Sequence, residues 1–277
     1  ECIDANDREH EIFARAIKSR IENNGSLFID KKEFNFDGMN DLKVKFNSRL
    51  WAGNIKNPIG HTGRRIEEFQ NHFYIKEYVE KSIEIVNKLD GLTQRGIQNY
   101  SNSVKDWISK NPTLIDDEEK EKIVINLFEK SKVALIYGAA GTGKTTLIDY
   151  VSQFFKENSK IFLANTNTAV DNLKRRIFTD SNSEFKTVAK LIASKNTKCD
   201  ILIIDECSTI SNDDMQKVLN KVEFGLILLV GDVYQIEAIS FGNWFKIAPN
   251  FIGKVAFKLE KTYRTKDKKL LKLWDEV

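Results

Sequence analysis

The sequence predicts an α/β fold, in which a domain with a parallel sheet follows a smaller mixed α+β N-terminal region. From residue 112 onward, short apolar runs alternate with helical patterns, which is typical of a parallel sheet covered by helices on both faces. A glycine-rich run at 138–145 lies between one such strand and a helix, and the acids Asp205 and Glu206 directly follow another strand. Because ligands bind at the carboxyl ends of such strands, these residues predict one site.

The composition limits the possible functions only loosely. The 277 residues are 41% hydrophobic and 30% charged, which is ordinary for a globular protein, and a formal net charge of +3 argues neither for nor against nucleic acid. Three scattered cysteines form neither a disulfide framework nor a metal-ligand spacing, so we expect a cytoplasmic protein. No apolar run is long enough to span a membrane. The chain begins at Glu1 rather than methionine, so we expect an excised fragment.

Residues 1–111 form the predicted N-terminal region, in which patterns of both secondary-structure types occur. The predicted elements are helices over 7–23, 67–89 and 104–110, strands over 26–36 and 42–51, and a loop over 52–65. No catalytic constellation occurs here, so the role of the region stays open, with a protein partner as one interpretation.

Asn111-Pro112 is the predicted domain boundary, because the alternating pattern begins there. A run of acids and lysines at 116–122 predicts the start of a helix, since acids favour the positive end of the helix dipole. Apolar runs predict strands over 133–137, 161–164, 201–204, 226–230 and 255–259.

The strongest motif is a phosphate-binding loop. The run Gly138-Ala-Ala-Gly141-Thr142-Gly143-Lys144-Thr145 fits G-x-x-x-x-G-K-[ST] at every position. Glycines let backbone N–H groups point at phosphate oxygens, Lys144 is suited to the β- and γ-phosphates, and Thr145 to Mg²⁺. A glycine turn with a chance lysine is the alternative, which the flanking strand and helix disfavour. We predict that ATP is held by Gly138, Gly141, Thr142, Gly143, Lys144, Thr145 and Thr146.

Polar residues after two later strands complete the predicted site. Asp205 is expected to hold Mg²⁺ beside Thr145, and Glu206 to orient or deprotonate the attacking water. A solvent-exposed acidic turn is the alternative. Gln235 follows the next strand and is suited to sensing the γ-phosphate or its water, although a plain strand-to-loop turn is the other interpretation.

Together these motifs resemble the first RecA-like domain of superfamily 1 helicases, nearest the RecD-like and nonsense-mediated-decay-helicase branch. Residues 138–145 resemble motif I, 205–208 motif II, 231–235 motif III, 164–173 motif Ia, 187–192 the motif after it, and 259–265 motif IV. The resemblance covers about residues 112 to 277, with 112–260 as a RecA-like P-loop NTPase domain and 261–277 as the start of a truncated second motor domain.

The resemblance implies the roles of particular residues. It assigns ATP chemistry to Lys144, Thr145, Asp205 and Glu206. It assigns the coupling of nucleotide state to motion to Gln235 and Arg264. The positions it assigns to a single strand are Asn165, Thr166, Asn167 and Thr187. Short hydroxyl and amide groups at strand ends can bind phosphates without reading bases. A helix-capping cluster, with Thr168 as the cap, is the alternative for residues 165–168.

The resulting interpretation is an ATP-dependent helicase or translocase, present as an N-terminal fragment. Its partner would be a single strand, DNA more than RNA, with movement 5′ to 3′ implied by the branch. A nucleotide-dependent switch or scaffold that unwinds nothing is the alternative, and a P-loop kinase is disfavoured by the Gly-Asp-x-x-Gln run. Family members often hold adenine with a glutamine upstream of motif I; residues 114–122 contain none, so base recognition stays open.

Overall fold

The computed structural model describes residues 7–53, 60–115, 117–178, 180–232, 241–261 and 263. The main elements of its first part are helix α1 (Glu9–Asn24), strand β1 (Ile29–Asp30), helix α2 (Met39–Ser48), strands β2 (Ile66–Phe69) and β3 (His72–Ile75), and helices α3 (Lys76–Gly91) and α4 (Tyr100–Lys110). The three strands form an antiparallel sheet in the order β1-β3-β2. The helices predicted over 7–23 and 104–110 are confirmed.

The strand predicted over 26–36 is wrong in extent, and the strand predicted over 42–51 is wrong in type. The first is reduced to the two residues of β1, and the second is helix α2. Leu42 and Phe46 fit both a strand and a helix, but with Met39 they face the cluster around α1 at helical spacing. Val44, which a strand would place on the face of Leu42 and Phe46, is instead 63% exposed.

The helix predicted over 67–89 begins nine residues later, at Lys76 (76 minus 67). The preceding residues form a hairpin whose turn is Gln70-Asn71, with φ of 48° and 64°. Two consecutive left-handed residues match the twist of a hairpin. Because this turn contains no glycine, the sequence gives only a weak signal of it.

A second series of elements follows. They are α5 (Glu118–Asn126), β4 (Val133–Gly138), α6 (Lys144–Phe154), β5 (Lys160–Ala164), α7 (Asn167–Arg176), β6 (Ser183–Thr187), α8 (Val188–Ala193), β7 (Thr197–Ile204), α9 (Asn212–Lys221), β8 (Val222–Gly231), α10 (Trp244–Ile252) and β9 (Ala256–Leu259). The predicted helix start and the five predicted strands are confirmed. Strand β6 was not predicted, because its sequence, Ser-Glu-Phe-Lys-Thr, contains no apolar run.

The six strands form a parallel sheet in the order β6-β5-β7-β8-β4-β9, which confirms the predicted α/β class with a parallel sheet. Helices cover both faces of the sheet with their apolar sides: α8, α9 and α10 pack on one face, and α5, α6 and α7 pack on the other. This architecture brings the carboxyl ends of all strands to one edge.

Two helices from before residue 112 also pack on this sheet. Ile85 and Leu89 of α3 belong to the apolar core of one face, while Tyr100 and Val104 of α4 belong to that of the other. A separate core fills the N-terminal sheet and includes Phe241 from the second half of the chain. The boundary at residues 111–112 stays a prediction, and the packing shows that helices on both sides of it stabilise the parallel sheet.

Within the described ranges, no helix combines the length and the apolar character that crossing a bilayer requires.

Candidate nucleotide-binding site

The predicted phosphate loop connects the end of β4 to the start of α6 at the carboxyl edge of the sheet. Gly141 and Gly143 both have a φ of 87°, in the region that side chains other than glycine rarely adopt. Thr142 lies between them, buried, and its hydroxyl donates to the Ala139 carbonyl at 3.0 Å. The glycines therefore allow the curled backbone, and Thr142 closes it.

Helix α6 begins without a side-chain cap, since its N-cap residue is Gly143. The four helices α5, α7, α8 and α9 are capped instead by the side chains of Asp117, Thr166, Thr187 and Ser211. The N-terminal amides of a helix have no partner within the helix and carry a partial positive charge. At α6 they are available to an anionic ligand such as phosphate.

Lys144 supplies the cation of the loop. Its Nζ donates to the carbonyls of Gly138 at 2.6 Å and Ala139 at 3.0 Å. These contacts hold the ammonium group over the curled backbone, where it can bind phosphate oxygens.

The two acids stand at the end of β7. The Asp205 N–H donates to the Leu163 carbonyl at 2.9 Å, and the Glu206 N–H donates to Asp205 Oδ1 at 2.8 Å. Burial raises the pKa of Asp205 to about 6 and raises the pKa of Glu206 above its ordinary value, while the Lys144 ammonium opposes both shifts. Glu206 also has a left-handed φ of 54°, a strained conformation that occurs preferentially at functional sites.

These groups line one cavity of about 440 Å³, a size typical of ligand pockets. Its lining residues are Gly141, Gly143, Lys144, Thr145, Thr146, Arg176, Asp205, Glu206, Gly231 and Tyr263. The structure thus brings together most of the predicted nucleotide and metal residues, while Gly138 and Thr142 line a neighbouring cavity. A lysine, helix amides, hydroxyls and two acids suit a magnesium nucleoside triphosphate. Gln235 and Arg264 lie outside the described residues.

A family model described as an AAA domain matches residues 117–277. The chain belongs to this family. It is the family of Pif1- and RecD-like superfamily 1 helicases, so the predicted resemblance is confirmed.

Several individual proteins are similar to parts of this chain. An uncharacterized protein of Methanocaldococcus jannaschii is 28% identical over 203 residues, covering 60% of this chain and 17% of its own length. The DNA-binding protein SMUBP-2 of Mesocricetus auratus is 42% identical over 67 residues, covering 24% of this chain and 7% of its own. A structure of Pif1 helicases at forked double-stranded DNA is 18% identical, with a TM-score of 0.43, covering 58% of this chain and 48% of that one. The chain spans less than half the length of each of these proteins.

Two residues that line the cavity of the AAA domain were not predicted. Arg176 ends helix α7, and it closes a basic run at 174–176 that resembles an ordinary helix C-terminus. Tyr263 approaches the loop through its backbone N–H, which donates to the Gly141 carbonyl at 2.9 Å. No local pattern indicates that Arg176 lies at the phosphate loop, whereas Tyr263 belongs to the run 259–265 that resembles motif IV.

The segment after β9 is fastened beside the loop by several contacts to helix α5. Lys261 Nζ donates to Asp117 Oδ2 at 2.8 Å, and Lys120 Nζ lies 3.7 Å from the centre of the Tyr263 ring. Burial opposes ionisation of Asp117, but hydrogen bonds from Lys261 and Tyr263 outweigh it and lower the pKa of this carboxyl. Tyr263, which lines the cavity, is therefore held in place by residues from a distant part of the chain.

The residues predicted to bind a single strand lie at the same edge of the sheet, where Ala164 of β5 pairs with Thr187 of β6. Thr166 Oγ1 accepts a hydrogen bond from the Ala169 N–H at 3.1 Å, and Thr187 Oγ1 accepts one from the Lys190 N–H at 3.2 Å. The cap of α7 is thus Thr166, and the expectation of Thr168 was wrong. Asn165, Thr166 and Asn167 are exposed, whereas Thr187 is buried. Their contact with nucleic acid stays a prediction.

Proposed function

We propose that this chain is the ATP-binding part of a helicase or translocase that acts on single-stranded nucleic acid. The observation that carries the proposal is the single cavity in which Lys144, Thr145, Asp205 and Glu206 meet. The family supports a motor function, because its members are superfamily 1 helicases.

The arrangement suits hydrolysis of the terminal phosphate of ATP. The amides at the start of α6 and the Lys144 ammonium would bind the β- and γ-phosphates, and Thr145 with Asp205 would hold Mg²⁺. The bound Mg²⁺ supplies charge neutralisation at the phosphate oxygens. Glu206 would accept a proton from water as the water oxygen forms a bond to the γ-phosphorus and the bond to the ADP oxygen breaks. Lys144 then stabilises the charge that remains on ADP.

The coupling of hydrolysis to movement is proposed from the resemblance. Gln235 and Arg264 would respond to the γ-phosphate, and residues contributed by a second motor domain would complete the site. Movement 5′ to 3′ and a cytoplasmic location belong to the same proposal.

DNA is favoured over RNA as the partner. The relative described as a DNA-binding protein supports this choice. Asn165, Thr166, Asn167 and Thr187 would bind the backbone of the strand, since hydroxyl and amide groups contact phosphate and sugar without reading bases.

ATP turnover by the full-length parent protein tests the proposal, with single-stranded DNA or RNA oligonucleotides added and with the Lys144→Ala variant as the control. We expect DNA to increase the turnover of the unchanged protein and to have no effect on the variant. Stimulation by RNA alone would correct the substrate. Turnover that neither strand changes would contradict a motor and favour the nucleotide-dependent switch.

A further inference from the structure

Helix α3 of the N-terminal region holds a buried serine that contacts the ATP-binding half of the chain. Ser82 is 1% exposed, its Oγ accepts a hydrogen bond from Asn212 Nδ2 at 2.6 Å, and its hydroxyl donates to the Tyr78 carbonyl at 2.7 Å. Asn212, at the start of α9, is 2% exposed. Because a buried polar group is costly unless it is hydrogen-bonded, these two side chains stabilise each other's position.

Asn212 also holds the segment that opens α10. Its backbone N–H donates to the Phe241 carbonyl at 3.0 Å. Its Oδ1 accepts from the N–H groups of Asn243 at 3.1 Å and Trp244 at 3.2 Å. The amide side chain therefore joins α3 to residues 241–245, with its nitrogen bound to one and its oxygen to the other.

Residues 241–245 in turn contact three segments that adjoin or line the proposed ATP site. Trp244 Nε1 donates at 2.9 Å to the carbonyl of Ile210, in the loop that follows the two acids. Phe245 stacks on Tyr137, directly before the phosphate loop, with ring centres 4.5 Å apart. Phe245 also lies against Gly231, where a Cβ atom would come within 2.6 Å of the ring. Residues 241–245 thus contact the end of β4 before the phosphate loop, the end of β8, and the loop that follows Asp205 and Glu206.

The contact continues into the N-terminal region. The Tyr78 ring stacks on Phe241 with centres 4.3 Å apart, and its hydroxyl donates to Glu22 of α1 at 2.7 Å. A series of hydrogen bonds and ring contacts therefore runs from α1 through α3 to residues 241–245.

We propose that Asn212 is a positioning residue for ATP hydrolysis, and that through its bond to Ser82 helix α3 helps to hold the ATP site in its geometry. This inference rests on the proposed ATPase function. Asn212 does not line the cavity, and it acts through Trp244 and Phe245 on the acids and on the strand ends. A displacement of about 1 Å can lower a reaction rate by about a hundredfold. The amides of α6 take no part in the contacts described for Asn212, Trp244 and Phe245, so we expect the affinity for nucleotide to change much less than the rate of hydrolysis.

Ser82→Ala, Asn212→Ala and the double variant test the proposal in the full-length parent protein. The measurements are kcat for ATP in the presence of single-stranded DNA, and the dissociation constant of ADP. We expect each single change to lower kcat about tenfold while the affinity for ADP stays within about twofold. The double variant should be no slower than the slower single variant, because both changes remove the same contact.

Ser131→Ala is the matched control. Ser131 is also 1% exposed and its hydroxyl donates to the Val133 carbonyl at 2.7 Å, but it lies at the opposite end of β4 from the phosphate loop. We expect this variant to keep its kcat. A loss of kcat in Ser82→Ala no greater than in Ser131→Ala, effects that add in the double variant, or a parallel loss of ADP affinity would each overturn the proposal.

Hydrogen exchange separates this inference from the proposed function. The amides of Asn243 and Trp244 should lose protection in Ser82→Ala, whether or not the unchanged protein hydrolyses ATP. Unchanged protection at both amides would refute the positioning contact. Absence of ATP turnover in the unchanged protein, together with lost protection in the variant, would contradict the proposed function while supporting the contact.

Discussion

Helices α6 and α7 begin at the same edge of the parallel sheet, yet their first turns are satisfied in different ways. At α6 the N-cap is Gly143, so the cap residue offers no side-chain acceptor to the first-turn amides, and the Lys144 side chain lies over the same loop. At α7 the oxygen of Thr166 accepts a hydrogen bond from Ala169, and at the neighbouring α8 Thr187 does the same for Lys190.

This difference distinguishes what each helix start offers to a ligand. At α6 the backbone itself is available, which suits a compact anion such as a phosphate chain. At α7 and α8 the capping hydroxyl accepts from one backbone donor each, and the hydrogen of the exposed Thr166 hydroxyl can still be donated, because a hydroxyl can accept and donate at once. If a single strand binds there as proposed, the contact would therefore depend on side chains more than on backbone amides.

Lys144→Ala should produce the largest effect, because it removes the only cation among the predicted residues of the phosphate loop. We expect ATP turnover to fall about a thousandfold, as for the loss of a group that stabilises a developing charge. Steady-state turnover of the full-length protein measures this change. Unchanged turnover would show that the cavity is not the ATP site.

Glu206→Gln should have the next largest effect. The amide keeps the size of the side chain but cannot accept the proton of water, so we expect turnover to fall about a hundredfold. ATP binding, measured by equilibrium titration, should be retained. A variant that loses binding instead would indicate that Asp205 and Glu206 have exchanged roles.

Arg176→Ala tests whether the far end of α7 takes part in nucleotide binding. Arg176 lines the cavity, and a guanidinium that bonds to phosphate contributes about 1.5–3 kcal/mol, so the dissociation constant of ATP should rise at least about tenfold. Arg175→Ala is the matched control, since the Arg175 Nε donates to the Asp171 carbonyl at 3.2 Å and Arg175 does not line the cavity. If both changes raise the dissociation constant of ATP equally, Arg176 contributes only its positive charge and makes no specific bond to the nucleotide.

Thr166→Ala and Thr166→Ser should give the smallest effects and test the capping side of the comparison. Loss of the cap should lower the free energy of unfolding by about 1 kcal/mol in the alanine variant. Binding of single-stranded DNA should weaken about threefold through the lost hydroxyl donor. The serine variant keeps both functions of the hydroxyl. If DNA binding is unchanged in the alanine variant, Thr166 is only a cap.

The sequence predicted those parts of the molecule that are encoded locally. The phosphate loop and the acids after β7 are short runs, and their neighbouring strands are apolar enough to identify. Residues such as Arg176 could not be predicted, because their place at the cavity depends on how a whole helix packs. The contact between Ser82 and Asn212 joins residues 130 positions apart and leaves no local pattern.

The N-terminal region was harder to predict for a related reason. Leu42, Val44 and Phe46 alternate as in a strand, and only their packing against α1 selects the helix. The hairpin turn at Gln70-Asn71 lacks the glycine that usually identifies such turns. The roles of Gln235 and Arg264 remain predictions from the family resemblance.

The bond between the Tyr263 N–H and the Gly141 carbonyl has a mechanical consequence. The polypeptide leaves the edge strand β9 and is tied, four residues after Leu259, to the loop that would receive the phosphates. Any movement of Gly141 on nucleotide binding would displace this anchor point as well. The position of the phosphate loop and that of the backbone at Tyr263 are therefore coupled through one hydrogen bond.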